Sequence, residues 1–399
     1  MAKENIYLAS KPRYEILDGL RGVAAMMVVI FHLFESYSKG PATQIVNHGY
    51  LAVDFFFVLS GFVIGYAYDD RWDKMTVMGF FKRRLVRLHP LVVIGTLAGA
   101  CLMFFQIGPV FPRMAGSQLG QFLLCIVLGC LMIPITPALD VRGWGETFPL
   151  NGPQWSLFLE YLANILYVVL FRRLPKAALA VLCACSAFLS LDLTLGWDVF
   201  DILRRPHYNV IGGWSLTGEQ LYIGFTRLLY PFLAGLLISR ILSSRRERTG
   251  SDGALFRLRG GFWWCSLLLV AIMATPCIGG RQGVPDGLFQ ALAILVCFPL
   301  IILAGAGSTA PGAFTSRLSR FLGEISYPLY LTHFPFALMQ YNWAAVHADA
   351  PLWQHIALGI GVFLFSIGLA YAVLKVYDQP VRDWLREHWL KRSDRKRTK

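Results

Sequence analysis

The sequence predicts an all-α integral membrane protein, a bundle of about ten transmembrane helices. Of its 399 residues, 56% are hydrophobic and only 15% are charged, and the mean hydropathy is +0.52, which exceeds what soluble domains of this size carry. Apolar runs of membrane length recur along the whole chain. The net charge of +13 is concentrated in a few short loops and the C-terminal tail, which favours an anionic membrane surface over nucleic acid as partner.

Eleven apolar runs are long enough to span or nearly span a bilayer. The first run follows a polar N-terminus without a small-residue cleavage pattern, so we expect no removable signal peptide. The runs cover residues 17–37, 49–68, 88–107, 118–136, 155–171, 177–196, 219–241, 261–278, 287–306, 321–343 and 352–376.

Basic residues in short loops predict the orientation. The loops at 71–87 and 240–259 are rich in Lys and Arg and should be cytoplasmic, as should both basic termini. With both termini on one side, the number of crossings must be even, so one of the eleven runs cannot cross. We predict that run 118–136 is re-entrant or half-buried. We expect a bacterial inner membrane protein with one membrane domain, residues 1–380, and a basic cytoplasmic tail, residues 381–399.

The eight cysteines lie in or at the ends of apolar runs. They lack the paired loop spacing of a disulfide framework or a zinc site. We therefore expect no metal and no tightly bound cofactor.

Arg21 and His32 lie inside the first apolar run. Their eleven-residue separation is almost a whole number of helical turns, so both side chains point the same way, about 16 Å apart along the axis. Ionisable residues within a membrane segment are costly and usually functional. The alternative is that Arg21 anchors the helix at the interface and His32 is a packed, hydrogen-bonded residue.

Two carboxylates also lie within apolar runs. Asp54 stands beside three phenylalanines and needs a cationic partner, for which Arg21 is a candidate. Gly61 and Gly65, four residues apart in the same run, indicate close helix packing. Glu160 lies in the stretch 151–161, in which Pro153 starts a helix, and should pair with a His or an Arg, because an unpaired carboxylate there is costly.

Arginines cluster at the start of the third run. Arg83, Arg84 and Arg87 are spaced to line one side of a helical turn. Ordinary positive-inside anchoring explains most such clusters. Because Arg binds phosphate in a bidentate manner, the cluster also predicts a phosphate-binding fork.

A polar stripe enters the tenth run. Ser326, Tyr330 and His333 lie at i, i+4 and i+7, beside Glu324, and so share one helix face. The stripe indicates a binding surface within the membrane. The alternative is that Tyr330 is an interfacial aromatic residue and His333 a satisfied core residue.

Taken together and in order, these motifs resemble those of the acyltransferase-3 family of polytopic membrane acyltransferases. They are LDGLRG with a His eleven residues after its Arg, DFFFVLSGF, RRLVRLHP, WSLFLE and ISYPLYLTH. The resemblance extends from about residue 14 to about residue 380. Each motif alone is weak, but five in this order are highly specific.

The resemblance implies transfer of an acyl group, commonly acetyl, from acyl-CoA as co-substrate to a hydroxyl of a carbohydrate or glycan-type acceptor. It implies that His32 is essential and that Arg21, Arg83, Arg84 and Arg87 serve the donor. Less certain members of the site by the resemblance are Glu160, Tyr330 and His333. We expect Ser326, on the same stripe as Tyr330 and His333, to contact donor or substrate with them.

His32 is the natural base, because the unperturbed pKa of histidine lies near neutrality. We expect either that His32 removes the proton of the attacking hydroxyl or that His32 itself carries the acyl group, with Glu160 or Asp54 orienting the imidazole. The alternative function is a transporter or flippase of a lipid-linked or small anionic substrate, although no matching repeats are visible.

Overall fold

The computed structural model describes residues 11, 13–40, 43–203, 206–250, 254–255, 257–309 and 312–391. Within these ranges the chain is helical and contains no strand, which confirms the predicted all-α fold. The polar residues 1–10 and the part of the predicted basic tail after residue 391 lie outside the described residues.

Fourteen α-helices make up the described part of the bundle. Short π-helical turns join α9 to α10 and α13 to α14. The helices are α1 (Glu15–Glu35), α2 (Ala52–Tyr68), α3 (Val77–Met103), α4 (Leu119–Cys130), α5 (Gln154–Val169), α6 (Lys176–Leu195), α7 (Gly218–Thr249), α8 (Gly261–Ala274), α9 (Val284–Leu292), α10 (Phe298–Gly307), α11 (Ala313–Thr332), α12 (Phe334–Val346), α13 (Leu352–Val373) and α14 (Gln379–Leu385).

Contacts at the two ends of α1 define the two ends of the bundle. At the end where α1 begins, Arg320 of α11 pairs with Glu15 at 3.2 Å; we call this the basic end. At the end where α1 finishes, the Gln340 side chain of α12 donates to the Leu33 carbonyl at 3.2 Å; we call this the far end. The α11–α12 segment therefore runs alongside α1 through the whole bundle.

Eight helical segments are long and apolar enough to cross a membrane. The helix α5, with 16 residues, and the broken pair α11 and α12 fall outside that criterion. They run with the others between the two ends. The architecture is thus the predicted bundle of about ten spans.

The helix α4 lies in run 118–136, which was predicted not to cross. It has 12 residues, about 18 Å of helix, against a hydrocarbon core of about 30 Å. Phe122 near its start contacts Phe104, just after α3, and Gly129 near its end lies against Thr96, in the last third of α3. The chain enters the bundle, turns and comes back to α5, as a re-entrant segment does.

The predicted run 321–343 is broken at His333, between α11 and α12. The cause is Pro335, whose nitrogen carries no hydrogen and cannot bond to the carbonyl four residues earlier. That carbonyl, on Leu331, instead accepts a hydrogen bond from the Asn151 side chain at 2.8 Å. The break is therefore stabilised by the loop before α5, and it places His333 at a helix junction.

The helices α2 and α7 pack with their backbones in contact. A Cβ atom added at Gly61 would overlap the carbonyl oxygen of Phe232, and one added at Gly235 would overlap the carbonyl oxygen of Val58. Gly65 lies against side chains of the same helix α7. The predicted packing role of Gly61 and Gly65 is confirmed, and it follows the rule that small residues allow close helix approach in membranes.

We expect Gly61→Ala to destabilise the protein by about 1–3 kcal/mol, because the added methyl group must push α7 away from α2. The matched control is Gly368→Ala on α13, where an added Cβ meets nothing within 4 Å. Thermal unfolding of both variants in detergent measures the effect. Equal melting temperatures for the two variants would contradict this account of the α2–α7 contact.

Candidate functional site

His32 lies in the last turn of α1, at the far end of the bundle. Its Nδ1 atom is 2.9 Å from a carboxylate oxygen of Glu35, three residues later on the same helix. With Nδ1–H donating to Glu35, the Nε2 atom carries the lone pair. The His32 side chain remains 21% exposed, so this nitrogen is in a position to meet a substrate.

A second imidazole faces the first. The ring centres of His32 and His333 are 5.5 Å apart. The Nδ1 atom of His333 lies 3.0 Å from the Leu329 carbonyl, which fixes the proton on that nitrogen. Its Nε2 atom is buried and has no hydrogen-bond partner within the described structure, so it presents an acceptor beside His32.

Tyr330 is held one turn before His333. Its hydroxyl is 2.7 Å from the Ser156 hydroxyl, and Ser156 in turn donates to the Pro153 carbonyl. Tyr330 therefore donates to Ser156. These contacts join α11 to the start of α5 next to the histidine pair.

Arg21 lies near the opposite end of α1 from His32. Its guanidinium donates to the Ser326 hydroxyl at 2.9 Å and to the Gly323 carbonyl at 3.1 Å, and it pairs with Asp18 at 3.0 Å. Ser326 belongs to the predicted polar stripe, and the structure turns that stripe toward α1. The stripe thus extends from Arg21 at one end to His32 at the other.

A cavity of about 390 Å³ opens beside Arg21 at the basic end. Charged side chains of α1 and α11 and of the segment before α1 line it. The lining residues are Arg13, Glu15, Asp18, Arg21, Arg320, Gly323 and Glu324.

The arginines of α3 divide into two kinds. Arg84 is buried and pairs with Glu160 of α5 at 2.6 Å, so the predicted partner of Glu160 is an arginine. Arg87 is exposed and interacts electrostatically with Arg84 and Arg21. Arg83 is partly buried and has a contact of its own. Arg87 therefore lies within electrostatic range of Arg21, one turn after the paired Arg84.

Two expectations about the carboxylates are wrong. Asp54 does not pair with Arg21: its partner is Arg227 of α7, at 2.7 Å, and both side chains are buried. Neither Asp54 nor Glu160 takes the role of orienting His32, because each carboxylate is engaged by an arginine. The carboxylate that contacts His32 is Glu35.

Glu35 and Arg227 were not among the predicted site residues, although each had a signal in the sequence. Glu35 is three residues from His32, a spacing at which helical side chains meet. Arg227 is a charge inside an apolar run, which always calls for a partner. Within the described ranges, no group of three or more His, Cys, Asp or Glu side chains could hold a metal ion.

Comparison with known proteins places these features in a family. A family model described as an acyltransferase domain matches residues 14–374. The chain belongs to the acyltransferase-3 family. The predicted resemblance is confirmed, and the protein is a membrane acyltransferase.

Three relatives show the range of similarity within acyltransferase-3. "Protein 2 in picA locus" of Rhizobium radiobacter is 34% identical over 182 residues, 44% of this chain and 91% of that protein. The acyltransferase MdmB of Streptomyces mycarofaciens is 28% identical over 341 residues, 81% of this chain and 78% of MdmB. The peptidoglycan O-acetyltransferase OatA of Listeria monocytogenes is 22% identical over 332 residues, 80% of this chain but only 48% of OatA. No solved structure matches the chain.

We expect Asp54 to act in folding, as the partner of Arg227. Asp54→Ala leaves a buried guanidinium unpaired and should cost about 3–5 kcal/mol, whereas Asp54→Leu combined with Arg227→Met removes both charges and should cost less. Thermal unfolding and acyl transfer by the folded fraction are the measurements. A double variant that is stable but inactive would contradict a purely structural role, because it would show that the Asp54–Arg227 pair takes part in the reaction.

Proposed function

We propose that this protein transfers an acyl group, in the simplest case acetyl, from acyl-CoA to a hydroxyl of a glycan-type acceptor. The observation that carries the proposal is the arrangement along α1. A His–Glu pair lies at the far end, a group of arginines beside a cavity lies toward the basic end, and one polar stripe of α11 joins them. Among the relatives, OatA is named a peptidoglycan O-acetyltransferase, which supports acetyl as the acyl group and a glycan as the acceptor.

The chemistry assigned to His32 is acyl transfer at a thioester. Nε2 takes the proton of the acceptor hydroxyl as its oxygen bonds to the thioester carbon, the carbon–sulfur bond breaks, and the thiolate takes the proton back from His32. Glu35 holds Nδ1–H and stabilises the imidazolium that forms in between. The ring centres of His32 and His333 are 5.5 Å apart. The Nε2 atom of His333 can therefore accept a hydrogen bond from a second hydroxyl of the molecule that receives the acyl group.

A second route remains open. Nε2 of His32 attacks the thioester itself, the carbon–sulfur bond breaks, CoA leaves as the thiolate, and the acyl group rests on the imidazole. The acceptor oxygen then bonds to the acyl carbon and displaces the imidazole, and the proton of the acceptor hydroxyl passes through water to the thiolate. The two routes differ in whether an acylated His32 forms when acceptor is withheld.

The donor is assigned to the basic end. Arg21 and Arg87 are the guanidinium groups that bind the CoA phosphates, because Arg87 is exposed and Arg21 lies on the cavity. Arg84, fixed by Glu160, and Arg83 add positive charge to the same helix turn. The eleven residues from Arg21 to His32 are about 16 Å of helix, a distance that an extended pantetheine arm can cover.

The orientation follows from the donor. Acyl-CoA is made in the cytoplasm, so the basic end and both termini are cytoplasmic in this proposal, as the distribution of Lys and Arg predicts. The named relatives are bacterial, which supports the bacterial inner membrane as the location. His32 then lies toward the external face.

We expect His32→Ala to lower acyl transfer by a factor of about 10²–10⁴, the usual contribution of a general base. Glu35→Gln should lower kcat less and leave the KM of the donor unchanged, since the amide oxygen still accepts from Nδ1–H but no longer stabilises the imidazolium by its charge. CoA release by the purified protein is the readout. His355→Ala is the control, because His355 is exposed and contacts only Tyr37 and Trp343 among the described rings and hydroxyls.

Equal CoA release by wild type and His32→Ala would remove the enzymatic role of His32 and would favour a transporter.

We expect Arg87→Ala to raise the KM of acetyl-CoA about tenfold or more, because a charge-assisted hydrogen bond to phosphate is lost. The KM of acetyl-pantetheine, which lacks the phosphates of CoA, should be the same in variant and wild type. Arg248→Ala removes an equal charge at the same end, from a side chain that donates to Ser244 of its own helix. An unchanged KM for acetyl-CoA in Arg87→Ala would remove the phosphate assignment.

A further inference from the structure

The loop between α4 and α5 presents one aromatic ring on a fixed support at the far end. Trp144 lies between Gly143 and Gly145, whose φ angles of +91° and +75° are in the left-handed region that favours glycine. One carboxylate oxygen of Asp140 accepts from the backbone N–H groups of Gly143, Gly145 and Glu146, at 3.0, 2.7 and 3.3 Å. The Asp140 carboxylate therefore stabilises the turn, and the turn fixes the position of Trp144.

Trp144 belongs to an aromatic cluster that reaches α12. Its ring centre is 4.8 Å from Phe111 and 6.1 Å from Tyr341, and 41% of its surface stays exposed. Tyr341 in turn interacts electrostatically with Glu35, the partner of His32. Through Tyr341, the aromatic cluster therefore reaches the electrostatic surroundings of the His32–Glu35 pair.

Glu146 lies on the same loop and has one unsatisfied carboxyl oxygen. Its Oε2 atom is buried and makes no hydrogen bond in the described structure. The nearby Arg142 is occupied, because its guanidinium donates to the Pro149 carbonyl and to the Gln106 side chain. An unpaired buried carboxyl oxygen is costly, so a partner from outside the chain is the natural explanation.

The Glu146 carboxylate reaches the surroundings of His32. A Cβ atom at Gly152 would lie 3.5 Å from Oε1 of Glu146 and 2.8 Å from the Phe334 ring. The Phe334 ring meets the His32 ring edge to face, with centres 5.1 Å apart. Glu146 and His32 thus lie beside the same phenylalanine.

We propose that Trp144, Tyr341 and Glu146 form the subsite that binds a sugar ring of the acceptor next to His32, an inference that rests on the proposed function. A pyranose has a face of C–H groups, which packs on an aromatic ring, and hydroxyls at its edge, which a carboxyl group can bind. An exposed tryptophan beside an unpaired carboxyl supplies both. The reacting hydroxyl would then point to Nε2 of His32.

The charge state of Glu146 suits this task. Burial raises the pKa of Glu146 to about 8. The positive charge of Arg142 acts against this rise, and the negative charges of Asp140 and Glu35 add to it. His32 and His333 are the other titratable groups beside Phe334. At pH 7 the Glu146 carboxyl is mostly protonated and donates a hydrogen bond to a sugar oxygen. That donor is lost as the pH rises through about 8.

The test measures sugar binding without donor and then sugar-dependent turnover. Saturation-transfer NMR with a panel of methyl glycosides should give a signal for wild type in nanodiscs that Trp144→Ala loses and Trp144→Phe largely keeps. In the kinetic arm, Trp144→Ala should raise the KM of the methyl glycoside about tenfold. Glycerol, an open-chain polyol, should show no such change.

Trp353→Ala is the control, since Trp353 is an exposed tryptophan elsewhere on the bundle and should leave both readouts unchanged.

Above pH 8, the affinity for glycoside should fall in wild type and stay constant in Glu146→Gln, whose neutral amide remains a donor. A wild type that binds no glycoside, or a Trp144→Ala variant that binds as well as wild type, overturns the subsite. Absence of CoA release with glycoside binding intact would instead count against the proposed function alone.

Discussion

Two ion pairs between buried guanidinium groups and carboxylates determine how the interior of this bundle is arranged. Arg227 with Asp54 joins α7 to α2, and Arg84 with Glu160 joins α3 to α5. An unpaired charge in a membrane interior is expensive, so these side chains are committed to each other. The pairs hold four helices in register and leave His32 to a different carboxylate, Glu35.

The polar groups of the candidate site lie along α1 and are separate from these two ion pairs. Its N-terminal half carries Arg21 on a cavity, and its last turn carries the His32–Glu35 pair. The broken α11–α12 segment lies along it and contributes Ser326 near Arg21 and His333 near His32. The break itself depends on Pro335 and on the Asn151 side chain, so the loop before α5 takes part in shaping the site.

Much of the fold could be predicted, because the bilayer imposes length and composition on every span. The re-entrant run 118–136 followed from loop charge, and the α2 glycines from their spacing. The partner of Asp54 could not be predicted, since Arg227 is 173 residues away and helix neighbours in a bundle are not determined by order in the chain. The break at His333 and the contact with Glu35 had local signals, Pro335 and the i, i+3 spacing. The turn that carries Trp144 had no such signal, because it depends on the Asp140 carboxylate, which accepts hydrogen bonds from several backbone N–H groups of its own loop.

The most direct test of the central claim is a cryo-EM structure of the protein with a non-hydrolysable acetyl-CoA analogue. The account predicts phosphate density at Arg21 and Arg87, pantetheine running beside α1, and the acyl carbon about 3–3.5 Å from Nε2 of His32 or from an acceptor oxygen bound to it, the separation of reacting atoms. Density for the analogue at another surface, with the space between Arg21 and His32 filled by side chains or lipid, would contradict it.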